Sequence, residues 1–424
     1  MQIIESSKVK EKVYVEKLEN GLTVAVIPKK EIQKKYVIWG TEYGSIDNNF
    51  KIDKTGDTVR VPDGIAHYLE HKLFEQENGK NSLDVLSSLG VDANAYTTNN
   101  HTAYLFEATD NFYEALDEFM DYVQSPYFTD ENVEKERGII GQEIMMYDDY
   151  PDWKLYMNGM RCMYKTNPIN IDVAGTKETI ADIDKEKLYT IYNSFYKPDN
   201  QLLVLCGDFE VDSLLEEIKK RLKINPDKQE VQRMYPEEPN EIVKKYEEAK
   251  MDISKPIFLI GYKDKLEPGE MVKKDLAIEC ICNMIMGKSS DFYQRLYKEG
   301  LISTEFSYNY EFAKTYAHIL IQNTSNNPKK VTDELSKEIE KYKQTGFDEK
   351  EFDRIKKKMY GEYVKSYNDV SSIANNYLTD YLREINTFDF VEEVLVLDKE
   401  YTEKVLREVF VEEKKVLSVV LPND

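Results

Sequence analysis

The sequence predicts an α+β fold of two homologous domains, each a mostly antiparallel β-sheet packed with α-helices. Three observations carry that expectation. Two apolar runs meet at an Asn-Gly turn, the mark of a hairpin. Runs with apolar residues on one helical face stand among the strands. The order of elements in the first half is then replayed in the second. A chain of 424 residues can bury two cores. The expected division is residues 1–225, a linker at 226–252, and residues 253–424.

Residues 13–27 read as two strands around Asn20-Gly21. A helix follows the loop that ends at Pro62-Asp63-Gly64. A short helix over 83–89 stops at Gly90, a residue suited to a helix end. Strands over 91–98 and 102–107 meet at Asn99-Asn100. Asp110 is expected to cap a helix with Phe112, Leu116, Phe119 and Val123 on one face. A long acidic helix opens at Thr129. Pro226, Pro236 and Pro239 then fall in a charged stretch poor in apolar residues, the texture of a linker. In the second half, 257–262 is a strand, 275–286 an apolar helix and 316–321 a strand. Phe347 opens a long helix as Phe128 does.

Composition excludes several classes of function. Lys plus Arg number 57 against 79 Asp plus Glu, a net charge of −22, which repels nucleic acid and anionic membranes. No cationic segment with an apolar core opens the chain, and no run of 18 apolar residues occurs, so neither a signal peptide nor a membrane span is expected. Cys162, Cys206, Cys280 and Cys282 have no C-x-x-C spacing and read as reduced thiols of a cytoplasmic protein.

The chain has four histidines, and two of them stand in His67-Tyr68-Leu69-Glu70-His71. Residues four apart share a helix face, so both imidazoles can reach one metal ion. Glu70 can reach a water held there. This is the inverted zinc-hydrolase pattern H-x-x-E-H. A working zinc site needs a third protein ligand and an open position. In the acidic helix, Glu143 sits among Ile139, Ile140, Ile144 and Met145, an odd place for a purely solvated carboxylate. Glu136, seven residues earlier, either orients a ligating histidine or is a solvated helix charge. The helix over 276–282 has no histidine pair, so only the first half can hold metal. His318, on an apolar strand, reads as a packed core histidine.

These residues resemble the M16 family of zinc peptidases, which includes pitrilysin, insulin-degrading enzyme and the mitochondrial processing peptidase. The family pattern is H-x-x-E-H, then a glutamate some seventy residues on with another seven residues before it. Here Glu143 follows His71 by 143 − 71 = 72 residues. Asp92-Ala93-Asn94-Ala95-Tyr96-Thr97 resembles the family's substrate-binding strand. Gly175-Thr176-Lys177-Glu178-Thr179-Ile180 and Tyr196-Lys197-Pro198-Asp199-Asn200 resemble further family segments. The resemblance covers the whole chain and implies the short, two-domain type with the M16/LuxS-like metallohydrolase fold. It implies one zinc ion per chain on His67, His71 and Glu143, Glu70 as general base, and peptide held along Asn94 and Ala95. Asn94-Ala95 is otherwise an ordinary edge strand.

The family's second domain usually carries an Arg and a Tyr, seven apart across Gly-Leu, that grip the substrate carbonyl. Here Leu296 or Tyr297 takes the Arg place and Ser303 the Tyr place, while Arg295 lies out of register. The resemblance therefore implies a catalytic subunit working with a homologous partner that bears this clamp, in a heterodimer, with a homodimer as the other arrangement. Two rival readings are an M16-type binding subunit with a vestigial site and a hydrolase of non-peptide amides. The substrate, a precursor's leader or general oligopeptides, is not written in the sequence.

Overall fold

The computed structural model describes residues 1–223, 229–265 and 269–423. These fall into two compact units, each assembled from three segments. The first unit takes Met1–Ile144, Asp172–Tyr235 and Ser366–Phe388; the second takes Met145–Ile171, Pro236–Lys365 and Asp389–Asp424. The expected linker opens within 224–228, which lies outside the described residues. Its remainder carries two strands, Val231–Arg233 and Tyr246–Met251.

The first unit is built on a seven-stranded sheet. Its strands are β1 (Gln2–Ser6), β2 (Glu11–Lys17), β3 (Thr23–Pro28), β4 (Lys35–Thr41), β7 (Asp92–Thr97), β8 (Thr102–Ala108) and β9 (Gln201–Gly207). The order is β1-β2-β3-β9-β4-β8-β7, and only the β3–β9 pair is parallel. A small sheet joins β5 (Asn49–Ile52), β6 (Thr58–Arg60) and β10 (Val231–Arg233). The Asn-Gly hairpin forms as read. Gly21 takes φ +101°, and its N–H donates to the Leu18 carbonyl.

The helix Phe112–Val123 buries the expected Phe112, Leu116, Phe119 and Val123 against the sheet. Its cap differs from the expectation. Asn111, at φ +54°, takes the cap position in place of Asp110, and no side chain caps the helix. The turn from β8 needs a left-handed residue there, which Asn tolerates well. Phe119, Trp39, Tyr104, Phe106 and Tyr122 fill the centre of this core. Each buried aromatic or large aliphatic side chain is worth roughly 1.5–3 kcal/mol. The other face of β4 and β9 is covered by the helix Val370–Leu382. That helix seats Leu378 on Gly40; a Cβ at Gly40 would lie 2.5 Å from Leu378 Cδ1. Among the described residues β7 ends the sheet, so one of its edges has no strand partner.

The second unit repeats the plan with five strands in the order β11-β15-β12-β14-β13. They are β11 (Tyr246–Met251), β12 (Ile257–Asp264), β13 (Ser307–Ala313), β14 (Tyr316–Thr324) and β15 (Lys415–Pro422). Again one pair, β11–β15, is parallel. The helix Pro151–Met163 packs on β12 and β15, with Met163 Sδ against Gly261. The mostly antiparallel α+β expectation holds for both units. In neither unit does a described helix have the length and apolarity to cross a membrane. The four cysteines are unpaired and buried.

A buried charge cluster anchors the start of the second unit. Glu238 accepts N–H groups of Lys165, Thr166 and Asn167 at 3.0, 2.8 and 2.7 Å, and the Lys263 ammonium at 2.5 Å. Burial opposes this carboxylate's charge, but Lys263 and the three backbone donors outweigh it and hold its pKa at about 2, against an ordinary 4.5. A depressed carboxyl pKa gives stability that is present above pH 4.5 and lost as pH falls toward 2. Glu238→Gln is expected to cost about 3 kcal/mol at neutral pH, because it leaves Lys263 buried without its counter-charge. It should also flatten the acid limb of stability between those two pH values. Denaturant melts of both proteins from pH 2 to 7 check this, and parallel curves would refute it.

Candidate metal centre

The histidine helix spans Ile65–Lys72 and starts on Gly64. Gly64 has φ +96°, and a Cβ there would meet the Ala174 carbonyl oxygen at 2.5 Å. Only glycine makes that turn at that closeness. Gly175 lies equally close to the Asp63 carbonyl, so the 172–176 loop pins the start of the helix. The helix buries Ile65, Ala66, Tyr68, Leu69, Glu70 and Lys72, and leaves His67 and His71 at its rim.

The glutamate helix spans Asp130–Asp148. Thr129 and Asn132 cap it reciprocally: Asn132 N–H donates to Thr129 Oγ1 at 3.1 Å, and Thr129 N–H to Asn132 Oδ1 at 2.9 Å. Val133, Glu136 and Ile140 are its buried residues. The apolar neighbours of Glu143 in sequence do not surround it in space. Ile139 and Met145 are 47% and 45% exposed; Met145, two residues on, faces the opposite side of the helix, and Ile139 shares the side of Glu143 but lies toward solvent. Glu143 shares its face with Glu136 and Ile140.

The two helices bring His67, His71 and Glu143 together, with one donor atom from each within 4.8 Å of the others. Glu143 Oε1 lies 3.7 Å from His67 Nε2, and Oε2 lies 3.4 Å from His71 Nε2. The imidazole centroids are 4.6 Å apart. On its outer side, His71 Nδ1 sits 3.0 Å from Glu136 Oε1. Glu70 is buried, and Thr97 Oγ1 donates to its Oε2 at 2.6 Å. Asn94 and Ala95 lie on β7, the edge strand that ends at Thr97. The Ala95 N–H donates to the Asn94 side chain at 2.9 Å.

Burial, followed by the nearby His71, pulls the His67 pKa down to about 3, so this imidazole is neutral near pH 7 with a lone pair to give. For His71 burial acts downward, but the bond to Glu136 and the charges of Glu70 and Glu143 prevail and raise it. Burial lifts Glu70 to about 6, against the Thr97 bond and His71, which lower it.

The donor set suits zinc. Two imidazole nitrogens and a carboxylate are its usual partners, at roughly 2.0–2.2 Å. Ligand atoms at two corners of such a tetrahedron stand about 3.3 Å apart. The 3.4 and 3.7 Å separations here are long for hydrogen bonds and close to that edge.

Two functional neighbours escaped the sequence reading. Thr97 gave no signal, since its partner is 27 residues away. Lys72 did give one: it lies three residues after Leu69 and seven after Ile65, on the apolar stripe, and it is fully buried. The other histidines stand apart. His101 bonds Thr98 Oγ1 at 3.0 Å, and His318 bonds the Tyr164 hydroxyl at 2.9 Å inside the second unit. At the expected clamp region, Leu296 is buried and Arg295 pairs with Glu334 at 2.8 Å.

The family model described as insulinase (peptidase family M16) matches residues 59–177, and that described as peptidase M16 inactive domain matches residues 182–359. The chain is 37% identical over 425 residues to YmfH of Bacillus subtilis (strain 168), named as an uncharacterized zinc protease, covering 99% of each chain. The chain belongs to the M16 peptidase family. It is of the short type. A crystal structure of an M16-like peptidase from Alicyclobacillus acidocaldarius superposes with a TM-score of 0.93 at 32% identity, over 99% of this chain and 100% of that one. Pitrilysin shares the fold at 16% identity and a TM-score of 0.78, with 46% of its chain matched. His67, His71 and Glu143 all fall inside the insulinase match.

The purified chain is expected to carry about one zinc ion, and His71→Ala to lose most of it, since losing one of three ligands removes much of the affinity. Elemental analysis after dialysis reads this out. Equal zinc content in both proteins would overturn the ligand set.

Proposed function

We propose that this chain is a zinc-dependent endopeptidase acting on short or unfolded peptides, with His67, His71 and Glu143 as metal ligands and Glu70 as general base. The observation that carries this reading is the convergence of two imidazoles and one carboxylate beside a second, buried carboxylate. A bound zinc ion supplies an activated water at neutral pH and an electrophile for the scissile carbonyl. Glu70 takes a proton from that water and returns it to the leaving amine. Thr97 holds one oxygen of Glu70 and leaves the other for the water. Glu136 accepts the Nδ1–H of His71 and keeps its Nε2 lone pair free.

The unpaired edge of β7 is the element to hold substrate, by adding the peptide as one more strand. A substrate carbonyl would take the Ala95 N–H from the Asn94 side chain. Leader segments of precursors suit such a site, being extended and unfolded. Four unpaired, buried thiols fit a reducing compartment, so we place the protein in the cytoplasm.

Glu70→Gln separates binding from catalysis. The amide fills the same space but takes no proton, so zinc content should hold while the rate falls by roughly 10²–10⁴. A Glu70→Gln enzyme that keeps most of its peptide-cleaving rate would remove Glu70 from this role.

The reading further makes the chain the metal-bearing half of a pair. Arg295 lies out of register and pairs with Glu334, Leu296 is buried, and Tyr297, though exposed, brings no cation to the Arg place. A homologous subunit would supply that Arg and Tyr. The chain alone should be weakly active, and mixing with such a partner should raise peptide turnover by orders of magnitude. Turnover assays with and without the partner test this. Full activity of the chain alone, as monomer or homodimer, would sink the partner requirement.

A further inference from the structure

Lys72 directly follows the second histidine and is fully buried. Lysine is almost never found so, because an ammonium loses its hydration, and a burial of this kind needs charged partners. Lys72 has two. Its Nζ lies 2.7 Å from Glu75 Oε2 and 3.5 Å from Glu136 Oε2. Glu136, 6% exposed, turns its other oxygen to His71 Nδ1 at 3.0 Å. On the solvent side, Lys135 takes the second oxygen of Glu75 at 3.1 Å. A line of charged contacts thus runs from Lys135 through Glu75, Lys72 and Glu136 to His71.

We propose that Lys72 is a positioning residue for the metal centre: its ammonium, 3.5 Å away, attracts Oε2 of Glu136 so that Oε1 faces His71 Nδ1, which fixes the His71 tautomer. A donor on one carboxylate oxygen decides where the other points. An ionised carboxylate only accepts, so it meets a ring nitrogen that carries a proton. With its proton on Nδ1, His71 presents the Nε2 lone pair toward Glu143. His67 lacks such a guide, as its Nδ1 has no hydrogen-bond partner among the described residues. The burden of preorganisation therefore falls on His71. The histidine pair alone, without this line behind it, would leave both rings free to choose a tautomer.

The inference rests on the metal-ligand reading above, so its test has one arm that does not need metal. In metal-free, ¹⁵N-labelled protein, taken to a pH high enough that His71 is neutral, long-range proton–nitrogen spectra report which His71 nitrogen carries the proton. The wild type should show the Nδ1–H form, and Lys72→Met a mixture of both. In the second arm, zinc affinity measured against a chelating indicator should fall 10–100-fold in Lys72→Met, the usual effect of losing a residue behind a ligand. Starting from Glu136→Gln, the same substitution should cost less than twofold, because Lys72 acts through Glu136. If Lys72→Met does not fold, Lys72→Gln, one atom shorter, takes its place with the same expectations. An unchanged tautomer, or an equal loss of affinity with and without Glu136, would overturn the proposal. Absence of zinc binding by the wild type would instead overturn the ligand reading, with the tautomer arm still deciding the role of Lys72.

Discussion

Tyr68 locks the histidine helix to the glutamate helix: its buried hydroxyl donates to the Val133 carbonyl. Much of the site depends on that contact. His67 and His71 are held at a fixed spacing by the helix they share, whatever surrounds it. Glu143 is set by nothing local, since it arrives from 72 residues downstream. Its place beside the imidazoles follows from how the two helices are pressed together. Val133, Ile140, Leu69 and Tyr68 belong to one buried cluster and fix that pressing to the tolerance of core packing. The short arm of a carboxylate then needs no further guidance to reach both Nε2 atoms.

The same packing gathers charge in one place. Glu70 and Glu136 are buried, and Glu143 is a quarter exposed or less. Three carboxylates at such depth are unfavourable unless cations stand among them. Lys72 answers part of this on the inner side. On the outer side the imidazoles face Glu143 at distances too long to bond it well. A divalent cation would complete the balance there, in a chain whose relatives establish M16 membership.

Much of this was legible in the residues. The histidine pair, Glu70 and the strand pattern follow from local periodicity, which a chain states openly. The hairpin at Gly21, β7, β8 and the helix Phe112–Val123 fall where the pattern puts them. Local rules failed where the neighbour is remote. Glu143 looked buried by its sequence neighbours, yet Ile139 and Met145 point to solvent. Asp110 looked like a cap, but the approach from β8 put Asn111 at the turn. Thr97 carries no mark of its contact with Glu70. Lys72 was marked by its place on an apolar stripe, a clue in plain sight that only its buried partners make intelligible.

The helix Val370–Leu382, seated on Gly40, covers a sheet whose other strands are complete by Gly207. During synthesis this sheet therefore waits. From Tyr235 to Phe388 the ribosome adds 388 − 235 = 153 residues. At 5–20 residues per second that is about 8–30 s in which one face of β4 and β9 has no cover of its own. Val370 cannot begin its helix sooner. A nascent chain thus carries uncovered apolar sheet surface over this interval, and the first unit matures only once Ser366–Phe388 has been made.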